Sequence, residues 1–288
     1  MNKIEAWIRI IRPPIVFITV LGVSVGALNV TIGFGNQINI VSYFFLILAS
    51  IFLSSGLMVH NDYTDLESDK VNRPNKPLPS GVISPKTANF VGIALMCIAV
   101  LLSFLFSYPD INYGCGLIAL SVLFIGILYN YKGKYTGIFG HVMVAYGVAM
   151  IPYYGSIGMG NYFAIAPLAI SIFFMEIGRE IMVCAGDING DIKAGYKTLP
   201  VRIGQKKSML VALSFYFLFI PIYPISYVYN IFGKLYIVGA TVFIIFLFLT
   251  WYITYIKRSW SAFERYIRTG TRLDVIFFEI ILLLECIY

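Results

Sequence analysis

The chain has 288 residues, of which 59% are hydrophobic and only 12% charged. A soluble domain carries about 25% charged residues, so the composition excludes a soluble globular class and indicates a polytopic membrane protein. Net charge is +7, yet no soluble stretch interleaves basic and aromatic residues, which argues against nucleic acid; the four cysteines form no Cys-x-x-Cys pair and indicate neither a disulfide framework nor a thiolate metal site.

Met1 to Arg12 is basic, and the apolar run that follows is too long for the core of a cleaved leader, so the first span is expected to be its own insertion signal. Windows of about 20 apolar residues predict spans at residues 13–34, 40–60, 87–107, 113–129, 138–157, 162–184, 209–228, 235–256 and 273–288, nine in all. The fifth is the least regular, because it carries His141, Pro152 and several glycines.

The second span runs directly into Asn61-Asp62-Tyr63-Thr64-Asp65-Leu66-Glu67-Ser68-Asp69, followed by Arg73 and Lys76. Asp62, Asp65 and Asp69 are spaced by three and four residues, so a continuing helix places them on one face. Like charges held together at a membrane surface call for a cation, and a hard divalent ion such as Mg²⁺ takes carboxylate oxygens and brings a phosphate-bearing substrate. Glu67 points off that face and is expected to be solvated. The fourth and fifth spans are joined by a short basic loop with Lys132 and Lys134, preceded by Tyr129.

The sixth span leads into a second acidic cluster, Asp187 and Asp191, followed by Lys193 and Lys197. At about 100° per residue, Glu176, Glu180, Asp187 and Asp191 fall in one stripe of a helix. Glu176, Arg179 and Glu180 would lie within the membrane boundary, where ionisable groups face a cavity and pair with one another. Both clusters end in a lysine ahead of a Leu-Pro pair, Leu78-Pro79 and Leu199-Pro200, as two half-sites would.

Connections alternate in charge. With Arg179 assigned to the nearer side, 20 of the 21 Lys and Arg fall on the side that holds the N-terminus and both acidic clusters, leaving only Lys234 opposite. The positive-inside rule makes that side cytoplasmic and the protein a multi-pass component of the cell membrane. The two clusters together could hold Mg²⁺ against a diphosphate, with Arg73, Lys76, Lys132, Lys134, Lys193 and Lys197 converging on phosphate oxygens. An allylic diphosphate fits, since its heterolysis needs a charge-compensated leaving group and a dry, aromatic-lined pocket for the cation.

These residues resemble the UbiA superfamily of intramembrane prenyltransferases. The pattern N-D-x-x-D-x-x-x-D stands at Asn61, Asp62, Asp65 and Asp69, and D-x-x-x-D at Asp187 and Asp191. The run from Asn72-Arg73-Pro74 to Lys76-Pro77-Leu78-Pro79-Ser80-Gly81, Ile11-Arg12-Pro13, Leu128-Tyr129 and Gly195-x-x-Thr198-Leu199-Pro200 extend the likeness over nearly the whole chain. It implies an all-α bundle of nine transmembrane helices around a central prenyl pocket, in a single domain over residues 1–288. Metal ligands would be Asn61, Asp62, Asp65, Asp69, Asp187 and Asp191 with Mg²⁺ as cofactor. Asn61, Arg73, Lys132, Lys134, Lys193 and Lys197 would contact the prenyl diphosphate, Tyr129 would bond diphosphate or line the cation's path, and Arg179 and Glu180 would orient the acceptor's polar head.

Within the superfamily the chain is most similar to the archaeal ether-lipid branch, on Asn-Asp-Tyr at 61–63, Gly178-Arg179-Glu180-Ile181 and Gly190-Asp191 with Gly195. That implies geranylgeranyl transfer to the hydroxyl of geranylgeranylglyceryl phosphate. An aromatic acceptor of the quinone, hydroxybenzoate or chlorophyll type is the alternative, and a transporter the non-enzyme one, although transporters place charges near the midplane. The loop after Tyr129 is shorter than in the family and lacks its proline, His141 stands where Asn is frequent, and Cys184-Ala185-Gly186 precede the second motif where the ether-lipid branch often has Lys-Asp. His60 is expected to be a boundary residue, His141 a packed and satisfied one, and the basic stretch 257–272 a binder of lipid phosphates.

Overall fold

The structure, a computed structural model, describes residues 2–105, 113–161 and 163–287. The expected connection 108–112, and the ends of three expected spans at Ser107, Tyr162 and Tyr288, lie outside the described residues. The chain is helical: α1 Lys3–Ile11, α2 Pro13–Val30, α3 Ile40–Thr64, α4 Leu66–Asn72, α5 Pro85–Leu105, α6 Gly114–Tyr131, α7 Ile138–Gly158, α8 Ala166–Lys193, α9 Leu199–Ile203, α10 Gln205–Phe219, α11 Ile225–Val228, α12 Lys234–Lys257, α13 Trp260–Ala262, a π-helical segment Phe263–Gly270, and α14 Thr271–Ile287. No strand occurs among the described residues; the one bridge, parallel, pairs Gly137 with Thr198.

Local chemistry sets the boundaries. Arg12 takes a left-handed conformation (φ 58°) between α1 and α2, and Pro13 supplies the fixed φ favoured in a first helical turn. The Asn39 side chain accepts from the Ser42 amide (3.1 Å) and starts α3. The seventh predicted span is shorter than expected: α10 stops at Phe219, ahead of Pro221 and Pro224, and a separate short α11 follows. The helix under the first motif is not continuous, because ψ at Asp65 opens to 5° between α3 and α4. In contrast, α8 runs unbroken from the apolar span through Asp191.

Among the described residues, six helical stretches are long and apolar enough to cross a membrane: Pro13–Phe34, Ile40–Thr64, Pro85–Leu105, Gly114–Tyr131, Ile138–Gly158 and Lys234–Lys257. Three more coincide with expected spans but differ in character. Helix α8 carries Glu176, Arg179 and Glu180, and α10 and α14 have 15 and 17 residues. Outward-facing Phe44, Phe90, Leu101, Phe124, Phe139, Ile245 and Leu249 are exposed, as lipid contact requires and water would penalise.

Among the described residues, contacts link the nine longest helices into a closed ring in the order α2, α3, α5, α6, α7, α8, α10, α12, α14 and back to α2, and α2 also packs across the ring on α7. That crossing is tight. A Cβ on Gly26 would lie 3.0 Å from the Ser156 amide, and one on Gly155 would lie 3.0 Å from the Ala27 amide, so both small residues let the backbones touch. The crossing divides the ring into unlike halves. On one side, Tyr216, Phe243, Leu247, Trp251 and Phe263 fill the space among α8, α10, α12 and the π segment. On the other, among α2, α3, α6, α7 and α8, a cavity remains.

Candidate active site

The cavity has a volume of about 380 Å³. Its depth is lined by Ala49, Leu53, Leu57, Ile118, Val122, Val144, Val148 and Ile151, and its mouth by Asn61, Asp65, Asp69, Arg73, Lys76, Tyr129, Lys134, Asp187 and Asp191. The two clusters, more than 100 residues apart in sequence, therefore meet at one end of the bundle. One side chain joins them directly: the Arg73 guanidinium lies 3.0 Å from Asp187 and 3.7 Å from Asp69.

Each half is held by its own cations. Lys76 bonds Asp69 (2.6 Å) and Asp62 (3.0 Å), and Asp62 also pairs with Arg12. Lys134 pairs with Asp65, which accepts in addition from the Tyr196 hydroxyl (3.1 Å). Arg268 pairs with Asp187 and with Glu264 (2.9 Å). Asp191 differs, since its partner is the Thr198 hydroxyl (3.0 Å) rather than a cation. Burial, then the neighbouring charge of Asp187, pushes its carboxyl up to about 7 against that hydrogen bond. Burial also raises Asp69, offset in part by Lys76; for Arg73 the reverse holds, as burial lowers it but Asp187, Asp69 and Glu264 together hold it above its usual value.

Two loops position this mouth. The Lys197 amide donates to the Lys134 carbonyl (2.9 Å), and the exposed Arg202 clamps both strands of chain by donating to Tyr135 O (2.7 Å) and Lys197 O (2.9 Å). The clamp brings Lys134 over the rings of Tyr129 (5.5 Å) and Tyr196 (5.3 Å), where the cation meets two π faces. Asn61 donates to Asn130 (2.9 Å), which in turn bonds the buried His60 ring (2.8 Å).

The predicted site residues separate into groups. Asn61, Asp65, Asp69, Arg73, Tyr129, Lys134, Arg179, Glu180, Asp187 and Asp191 line the cavity. Asp62 is buried but lies against a second depression with Arg9, Arg12 and Lys76. Lys132, Lys193 and Lys197 are exposed and away from the cavity wall, and Glu67 is exposed and pairs with Lys70 (2.7 Å). Arg179 binds Glu176 through Nε (2.6 Å) and lies 3.7 Å from Glu180.

Sequence reading missed Arg268, Arg272, Glu264, Tyr196 and Thr198. Arg268 and Arg272 belong to the stretch expected to meet lipid, yet both line the cavity. Arg268 lies within the π segment, which no spacing rule announces. His141 also departs from expectation: it is buried, and its Nε2 has no hydrogen-bond partner among the described residues.

Comparison with known proteins agrees with this architecture. The family model for the UbiA prenyltransferase family matches residues 16–271. A digeranylgeranylglyceryl phosphate synthase from Pyrococcus horikoshii is 34% identical over 214 residues, 74% of each chain. A solved structure concerning digeranylgeranylglyceryl phosphate synthase in membranes superposes with a TM-score of 0.75 at 23% identity, covering 100% of this chain and 99% of that one. A UbiA homologue from Archaeoglobus fulgidus bound to GPP and Mg²⁺ gives a TM-score of 0.74 at 19% identity over 98% of this chain and 96% of that one.

Proposed function

The chain belongs to the UbiA prenyltransferase family, and from that premise we propose that it transfers a geranylgeranyl group from its diphosphate to the hydroxyl of geranylgeranylglyceryl phosphate. It is a prenyltransferase and a multi-pass membrane protein. The acceptor is supported by relatives named digeranylgeranylglyceryl phosphate synthase. The ring of helix contacts supports reading residues 1–288 as one domain. The bias of 20 in 21 Lys and Arg supports a cell-membrane orientation with the N-terminus and site loops cytoplasmic.

One observation carries the mechanism: Arg73 touches both aspartate clusters at the charged mouth of a cavity whose depth is apolar. The donors are carboxylate oxygens, which fit Mg²⁺ rather than a softer ion. Asp65, Asp69, Asp187 and Asp191 would hold it, with the amide oxygen of Asn61 beside them. When bound, Mg²⁺ neutralises charge on the leaving diphosphate. Arg73, Lys76, Lys134 and Arg268 then exchange carboxylate partners for phosphate oxygens and compensate the same charge as the allylic C–O bond breaks. The apolar depth holds the prenyl chain and keeps water from the cation, and the Tyr129 face stands at the boundary between mouth and depth. Arg179 and Glu180 meet the acceptor's polar head; its hydroxyl oxygen bonds the allylic carbon and its proton passes to the released diphosphate.

Purified protein, Mg²⁺ and labelled geranylgeranyl diphosphate, offered either a glyceryl phosphate ether or hydroxybenzoate, separates the acceptors. A labelled ether lipid is expected; label on hydroxybenzoate alone would reassign the enzyme to the aromatic-acceptor type.

A further inference from the structure

We propose that His141, Glu180 and Cys184 form a binding site for a thiophilic divalent cation of the zinc class, separate from the aspartate site. Glu180 and Cys184 are one helical turn apart on α8, and His141 approaches from α7, which packs against it. One ligand atom from each residue lies within 4.8 Å of the other two, with Cys184 Sγ 3.9 Å from Glu180 Oε1. Tetrahedral zinc holds such donors about 3.3–3.8 Å apart, within reach of small rotamer changes.

Three further features point to an ion rather than to packing. The His141 ring is 2% exposed and its Nε2 has no partner among the described residues, an unmade bond that a buried polar group rarely carries. Nitrogen, oxygen and sulfur donors together select a softer metal than Mg²⁺, so the two sites sort ions by ligand chemistry. A thiolate and a carboxylate also cancel a dication, which leaves the site neutral inside the bundle. Arg179, 3.7 Å from Glu180, does not preclude this, because its closer bonds go to Glu176. Glu180 and Cys184 line the cavity, which gives the ion a route in and leaves a fourth coordination position on that side.

The experiment is a Co²⁺ titration of the full chain in detergent, stripped by chelator and then saturated with Mg²⁺, read by thiolate-to-cobalt charge-transfer absorption. One Co²⁺ per chain is expected, with a thiolate band that Zn²⁺ bleaches by displacement. The band persists in Cys97→Ser and is lost in Cys184→Ser. His141→Ala weakens binding by more than the roughly 10–100-fold that loss of an outer-shell partner costs. A wild-type titration without a thiolate band overturns the proposal with no need of any variant, and so does a band that survives Cys184→Ser or an affinity unchanged in His141→Ala. None of these readouts depends on prenyl transfer.

Discussion

At the scale of single residues, the aspartates of one motif do different work. Asp65 and Asp191 face the cavity, so Asp65→Ala or Asp191→Ala is expected to lower kcat by about 10²–10³-fold, the cost typical of removing one charge-stabilising group. Steady-state assays at saturating Mg²⁺ check this, and unchanged transfer in either variant would remove the metal–diphosphate mechanism. Asp62 is buried between Arg12 and Lys76 and does not line the cavity, so Asp62→Ala is expected to cost about 1.5–3 kcal/mol of stability. Thermal unfolding in detergent reads that loss. Of the two lysines in the loop after α6, Lys134 pairs with Asp65 and Lys132 is exposed. Lys134→Ala should therefore raise the KM for the prenyl diphosphate far more than Lys132→Ala does. The identity of the acidic groups was legible in the sequence because helical spacing exposes it. Their partners were not, since Lys134 lies 69 residues from Asp65, and Arg268 lies 81 from Asp187.

Elements explain how such distant residues meet. The clamp made by Arg202 rests on two carbonyls in different loops, and lysine lacks the fork that reaches both. Arg202→Lys is expected to raise the KM for the diphosphate while leaving the unfolding temperature nearly unchanged, as measured on the same preparation. At the other end of the scale of exposure, Gly26 and Gly155 sit where α2 and α7 touch, and Gly26→Ala should destabilise by about 1–3 kcal/mol through overpacking. The glycines that make α7 irregular in sequence are thus what allows it to cross the ring. Although α8 extends well past its expected end to Lys193, hydropathy located most long helices to within a few residues, because a bilayer imposes one dominant length and composition. It could not foresee the break at Asp65, the early stop of α10 or the π segment, each of which depends on local turns rather than on hydropathy.

For the molecule as a whole, the division of the ring decides what can be held. Gly147 lines the cavity and a Cβ there would meet open space, so a large side chain would project into the prenyl path. Gly147→Phe is expected to shift preference from geranylgeranyl toward geranyl diphosphate in a competition assay, with total transfer of the short donor retained. The charged mouth has a further consequence. Asp191 accepts from the Thr198 hydroxyl, but Arg12, Arg73, Lys76, Lys134 and Arg268 pair with the other four motif aspartates before anything binds. A bare cation arriving there must evict a lysine or arginine, and a bare anion must outbid an aspartate. A metal and a diphosphate arriving together would offer each set of side chains a new partner at once, so such a mouth would act as an exchange that favours the two as a pair.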